Sequence, residues 1–173
     1  NDVTVNLDSG TNTVEIDLSG SALGVSTGSY AYASADVTYN SVDVQGGTGA
    51  DTVSVDLSAA GIAVGTYGEA YLYNTYNAVT VDGGDGANTI DIDVTSTALG
   101  IGAHDSGYAT SYLWSNSVDV QGGGGTDTVS VDINSTGRAI GTYADAYLYN
   151  SNNVVSVDVG DGANTVDINV VGD

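Results

Sequence analysis

The sequence predicts an all-β protein, a β-solenoid of the β-roll or β-helix kind, and three observations carry that expectation. Shifting the 173-residue chain by 76 superposes residues 1–76 on 77–152 without a gap, with roughly half the positions identical. Each 76-residue super-repeat holds two half-repeats, marked by the residue that closes a glycine turn: Asn12, Asp51, Asn88, Asp127 and Asn164, at steps of 39, 37, 39 and 37. Within every half-repeat, apolar residues alternate with polar ones in short runs, and no stretch has helical period.

The chain therefore reads as one repeat domain, 1–173, made of super-repeats 1–76 and 77–152 and a partial third copy, 153–173. Along a half-repeat the first strand is "SVDV" (41–44), followed by a glycine turn and a second strand, "DTVSVDL" (51–57). "GIAVGTY" (61–67), "EAYLYN" (69–74) and a polar turn complete it. Val, Thr, Ile and Tyr fill the runs while Gly, Asn, Asp and Ser fill the gaps, which is strand-and-turn chemistry. Stacked coils admit no insertion into the stacking core, so a gapless repeat favours a solenoid. The alternative is an antiparallel β-sandwich, which would tolerate unequal loops. A coil of about 38 or about 19 residues fits the repeat. The longer coil, stacked at the ~4.8 Å strand spacing, alternates Asn with Asp at the turn and keeps carboxylates from lying on one another.

Charge narrows the function. Twenty-two acidic residues stand against one arginine, Arg138, and no lysine, a formal net charge of −21. Nucleic acid binding needs Lys and Arg to displace counterions, and an anionic membrane surface repels such a chain, so neither nucleic acid nor the membrane is an expected partner. Cations are the natural counterpart, since self-repulsion of this size is relieved by salt or bound ions. The chain has no Cys, so no disulfide framework is possible. It has no Met either and begins at Asn1, from which we expect a removed signal peptide and a secreted, extracellular or cell-surface product.

The turns "GGTGADTVS" (46–54) and "GGGGTDTVS" (122–130) match G-G-x-G-x-D-x-U-x, and here the chain resembles the calcium-binding β-roll repeats of RTX-type secreted proteins. That resemblance implies Ca²⁺ held between successive turns, with Asp51 and Asp127 as carboxylate ligands and Gly46, Gly47, Gly49, Gly122, Gly123 and Gly125 shaping the turn. Oxygen-only ligation suits a hard cation. One nonapeptide occurs per half-repeat rather than in tandem, and the intervening turns carry Asn88 and Asn164, with Asn12 in a first copy lacking the leading glycines, as further candidate metal-binding residues at the same turn position. The alternative is a set of tight turns whose Asx side chains bond their own backbone.

Alternation places further acids outward, and stacking would assemble them into two rows: Asp17, Asp56, Asp93 and Asp132, and Asp43, Asp82, Asp119 and Asp158. Like charges at strand spacing repel, so either water and salt screen the rows or divalent ions bridge them. Asp85 and Asp161, at the tips of the Asn-type turns, are candidates on the same terms. "AYLYN" (70–74 and 146–150) and "SYLWS" (111–115) predict an aromatic face: with Leu72, Leu113 and Leu148 inward, Tyr71, Tyr73, Tyr112, Trp114, Tyr147 and Tyr149 stand outside as two columns, the inverse parity instead placing the tyrosines in the core. Such columns stabilise a sheet by cross-strand pairing, or offer a sugar-stacking platform or a lateral contact. His104 and Arg138 fall at different phases of the repeat and read as incidental, and no Ser-His-Asp or Cys-His set has its parts.

A non-enzymatic structural protein is therefore expected, the subunit of an extracellular filament, sheath or surface layer, polymerising end to end with itself and stabilised by Ca²⁺. The strand pattern runs almost to both ends, and both carry the same Asn-type segment. The alternative is an adhesin module binding glycans through the aromatic face. A third reading is ice binding by outward Thr13, Thr52, Thr89, Thr128 and Thr165, against which the adjoining carboxylates count.

Overall fold

A computed structural model describes residues 1–103 and 106–172. His104 lies outside the described residues. The first coil contains β1 (Asp2–Asn6), β2 (Thr13–Asp17), β3 (Gly20–Val25) and β4 (Tyr30–Thr38). The second is β5 (Ser41–Gln45), β6 (Thr52–Gly65) and β7 (Tyr67–Thr75), and the third β8 (Ala78–Asp82), β9 (Thr89–Gly102) and β10 (Ser106–Trp114). β11 (Ser117–Gln121), β12 (Thr128–Ile140) and β13 (Tyr143–Ser151) form the fourth, and β14 (Val154–Asp158) and β15 (Thr165–Gly172) lie on it.

Every strand pair is parallel, which sets the antiparallel sandwich aside. The coil is a β-solenoid with three faces. The first face is β1, β5, β8, β11 and β14; the second is β2 with β3, then β6, β9, β12 and β15; the third is β4, β7, β10 and β13. Val3 pairs with Val42, Val42 with Val79, Val79 with Val118 and Val118 with Val155, so one half-repeat makes one coil. The shorter 19-residue coil is thereby excluded.

Alternation sends Val53, Val55 and Leu57 inward, where they stack on Ile90, Ile92 and Val94 and on Val129, Val131 and Ile133 in a fully buried core. Toward the edge between second and third faces, the inward positions shrink to Gly and Ala: Ala59, Gly61, Ala63 and Gly65 in β6, and Ala98, Gly100 and Gly102 in β9. The two sheets close on each other there. A methyl on Gly61 would meet the Leu72 side chain at 2.7 Å, and one on Gly100 would run into the Tyr108 backbone.

Two corners are held by side-chain ladders. At the corner between first and second faces, the backbone N–H of Asn12 donates to Asp51 Oδ1 (2.9 Å), that of Asp51 to Asn88 Oδ1 (3.1 Å), that of Asn88 to Asp127 Oδ1 (3.0 Å) and that of Asp127 to Asn164 Oδ1 (2.8 Å). At the corner between third and first faces a second ladder runs through Asn1, Asn40, Asn77, Asn116 and Asn153. Ahead of it, Tyr39, Tyr76, Ser115 and Asn152 all sit in the left-handed region, with φ of 54°, 58°, 55° and 57°. Side chains other than Gly and Asn pay for that conformation. Ser115→Asn, which copies Asn152, should therefore raise stability by a few tenths of a kcal/mol in a urea titration.

Candidate functional site

The acidic residues sort into columns along the stack, and each column has its own pattern. At the glycine turn, Asp51 and Asp127 are buried to about 1% exposure or less and are separated by Asn88. Their Oδ1 atoms accept from the neighbouring coil, while Oδ2 of each is buried with no hydrogen-bond partner. In the Asn-type turns, the corresponding Nδ2 has work to do: Asn88 Nδ2 donates to the carbonyls of Gly84 and Gly122, both at 3.3 Å, and Asn164 Nδ2 to those of Val159 and Gly160. A methyl on Gly122 would lie 2.8 Å from Asp127 Oδ2, and one on Gly83 3.0 Å from Asn88 Nδ2, so oxygen and nitrogen occupy matching places. The orphaned oxygen thus sits where glycine-turn carbonyls collect, and only an electropositive partner suits it.

The remaining candidates are brought together less closely than expected. Asp43 and Asp119 face Thr80 between them, and Asp82 and Asp158 face Gln121 between them. These are two columns, not the single row expected from their repeated "VDV" and "TVD" settings. The register alternates 39 and 37 residues, and counting 39 from Asp43 oversteps its true neighbour, Thr80, by two. Asp85 and Asp161 are likewise separated by Gly124 at the turn tip. A shallow open groove along this edge is bordered by Asp82, Asp85 and Asp158. Among the described residues, no group of three or more acidic, His or Cys side chains surrounds a common metal position.

One column breaks the alternation. Asp17 pairs with Asp56, Asp56 with Asp93 and Asp93 with Asp132, four carboxylates in file on the second face. Burial pushes the Asp93 carboxyl above its usual range, helped by the charges of Asp91, Asp132 and Asp56. Burial raises Asp56 too, with Asp17 adding to the effect and a hydrogen bond from Ser58 opposing it. Both carboxyls therefore bind protons more tightly folded than unfolded. Their stabilisation is complete below the unfolded carboxyl pKa of about 4 and is lost as pH rises through the higher folded values. At low salt the melting temperature should fall as pH rises above about 4. Asp93→Asn should raise it by a few degrees at pH 8 and flatten the pH dependence; an unchanged slope would exonerate the column.

On the third face Leu72 and Leu113 are fully buried and the aromatic residues point outward. Their columns differ from those expected. Leu72 stacks on Ser111, not Leu113, and Ser111 on Leu148, which shifts the "SYLWS" segment by two residues against its look-alikes. Tyr73, Tyr112 and Tyr149 form one column; Tyr71 and Tyr147 flank Thr110 in a second; Trp114 stands in a third, between Thr75 and Ser151. The inward Ser111 hydroxyl is satisfied by Ser96 (2.6 Å) and Ser135 (2.8 Å), a buried hydroxyl cluster replacing leucine packing.

Tyr73 and Tyr112 are parallel to within 2° with centroids 4.9 Å apart, and Tyr112 and Tyr149 to within 6° at 4.6 Å. Coplanar rings cannot approach so closely, so the ring faces are turned toward each other. Edges and hydroxyls point outward instead. A sugar-stacking platform requires free ring faces, and this column spends them on cross-strand pairing. Burial raises the Tyr112 hydroxyl pKa, and a hydrogen bond to Glu69 pushes Tyr30 up to about 12.

The five threonines of the second face do stack in a single exposed column, from Thr13 through Thr52, Thr89 and Thr128 to Thr165. The next column outward contains Glu15, Asp91 and Asp167. Arg138 is exposed near the second-face edge. The asparagine ladder at the third corner escaped the reading of the sequence. Its signal is there in Asn1, Asn40, Asn77, Asn116 and Asn153, at the same 39 and 37 steps as the turn residues.

The fold and these ladders define a parallel β-solenoid whose corners are pinned by Asx side chains. Compared with protein-family models, curated proteins and solved structures, the chain matches none.

Proposed function

We propose that this chain is a non-enzymatic structural element of an extracellular assembly, stacking end to end on copies of itself and stabilised by cations such as Ca²⁺. One observation carries the stacking: the outermost coils present open parallel edges in the same register as the interior ones. Val166, Ile168 and Val170 of β15 continue the inward columns of Val129, Val131 and Ile133, yet are 43%, 46% and 53% exposed where those are buried. A further coil of this geometry would cover them, and in the proposed assembly another copy of the chain supplies it. Backbone pairing and core burial then act together, as in strand addition.

Cation stabilisation rests on the orphaned Oδ2 atoms of Asp51 and Asp127 beside the glycine-turn carbonyls. Each of these carboxylates, with its neighbouring carbonyls, would hold an ion of its own, supplying hard oxygen ligands and no catalytic chemistry. The acidic columns, in a chain of net charge −21, add a diffuse demand for counterions.

Negative-stain electron microscopy of the purified chain, with millimolar Ca²⁺ and with chelator, tests both parts. Regular filaments that need Ca²⁺ are the expected result, and a uniform small particle in every condition would point instead to a monomeric module such as a glycan binder. The Asp51→Asn/Asp127→Asn double variant separates the metal from the stacking. Its amides can donate to the turn carbonyls as Asn88 does, so Ca²⁺ should raise the melting temperature of the parent chain well beyond that of the variant, which keeps only the diffuse response of its acidic columns.

A further inference from the structure

The thin edge between the second and third faces carries a surface that the acidic columns leave untouched. In β3, β6, β9 and β12 the outward residues near this edge are aliphatic, with Arg138 of β12 the exception. Leu23, Ile62 and Leu99 form one column, which Arg138 completes, and Val25, Val64, Ile101 and Ile140 form the next. Leu23, Val25, Ile62 and Ile140 are exposed, at 72%, 66%, 42% and 41%. They cannot fold inward, because the space behind them is closed by Gly61, Ala63, Ala98 and Gly100 against the third face. Contiguous exposed aliphatic side chains on a soluble surface mark an interaction site.

We propose that this aliphatic stripe is a lateral docking surface for a second copy of the chain, joined face to face. Two features of the stripe select that partner. The first is charge. Copies bearing −21 repel, and among the described residues the outward columns running from Ser58 to Val64 on the second face contain no carboxylate and include Arg138, the one arginine of the chain. This is the side on which two copies meet with least Coulomb cost. The second is period. The stripe is a set of ridges repeating at the ~4.8 Å strand spacing, and the surface that matches it rung for rung is another in-register parallel stack. A two-fold axis normal to the stripe sets the same columns against each other, with sheets about 10 Å apart.

Magnitude says how such a contact behaves. Four rungs span about 19 Å, and the stripe is only a few side chains wide, so a single pair buries less than the ~1,200 Å² of a stable interface. The dimer of isolated chains is weak. Copies already stacked end to end would repeat the contact along their length and pair tightly by multivalency.

Sedimentation equilibrium up to about 1 mM chain, in low salt and in ~1 M NaCl where the screening length is ~3 Å, tests the proposal. Reversible dimers strengthening with salt are expected. Ile62→Thr/Leu99→Thr, which keeps β-branched or strand-compatible residues on the exposed face, should weaken the dimer at least tenfold with unchanged circular dichroism and melting temperature. A charged version, Leu99→Asp, should abolish it. A monomer at ~1 mM in high salt, or dimers indifferent to both changes, would overturn the docking surface. End-to-end stacking is read separately: filaments of single width from the stripe variant, beside paired filaments from the parent, leave stacking intact, whereas dimers without filaments leave only the lateral contact.

Discussion

Asn77→Ala should cost about 3–5 kcal/mol, the largest loss expected from any single side chain of the ladders. Asn77 is about 2% exposed and bonded on every side. Its Nδ2 donates to Val37 O (2.9 Å), Asn74 Oδ1 (2.7 Å) and Asn116 Oδ1 (3.0 Å), and its Oδ1 accepts both the backbone N–H (3.0 Å) and Nδ2 (2.8 Å) of Asn40. Alanine removes all five and strands an N–H and a carbonyl inside the corner. Each buried orphan costs about 1–3 kcal/mol, whereas a made bond contributes about 1. Urea denaturation is the measurement. Asn1→Ala, at the exposed end of the same ladder, should cost no more than about 1 kcal/mol. If the two variants lose equal stability, the ladder is not a cooperative element of the fold.

Gly86→Ala should be as damaging for a different reason. Gly86 has φ of +133°, which L side chains rarely adopt, and an added methyl would be driven into the Gly49 carbonyl of the coil below. The obstacle is backbone that is itself hydrogen-bonded in the stack, so it has nowhere to relax. Backbone strain and overpacking at about 1–3 kcal/mol each place the loss near 4 kcal/mol. Gly28 is the control: a methyl there meets nothing within 4 Å. Gly28→Ala should stay within about 0.5 kcal/mol of the parent. Comparable losses at both positions would mean that close stacking at the glycine turn is not what holds the coils at their spacing.

Much of the architecture can be read directly from the chain. Alternation placed Val53, Val55 and Leu57 inside, and the 39 and 37 steps of Asn12, Asp51, Asn88, Asp127 and Asn164 favoured, over a coil half as long, a coil per half-repeat with Asn and Asp interleaved at one corner. These features are local or strictly periodic, and a parallel stack converts period into contact without further information.

Register within the third face was not legible in the same way. "YLY" and "YLW" look equivalent, but hydrogen bonding sets Leu72 against Ser111 and moves Trp114 out of the tyrosine column. Buried Ser96 and Ser135 receive the Ser111 hydroxyl, so the packing of three coils, not the resemblance of one word, decides the alignment. The separation of Asp43 from Asp82 has the same origin, since a two-residue difference between alternate coils keeps every side chain on its face while changing its neighbour. The aliphatic stripe shows the limit most clearly. Period two tells which residues share a face of a strand; which face is inside depends on the space behind it. At Ile62 and Leu99 that space is filled by glycine, alanine and the opposite sheet, and only the tertiary structure turns those side chains toward solvent.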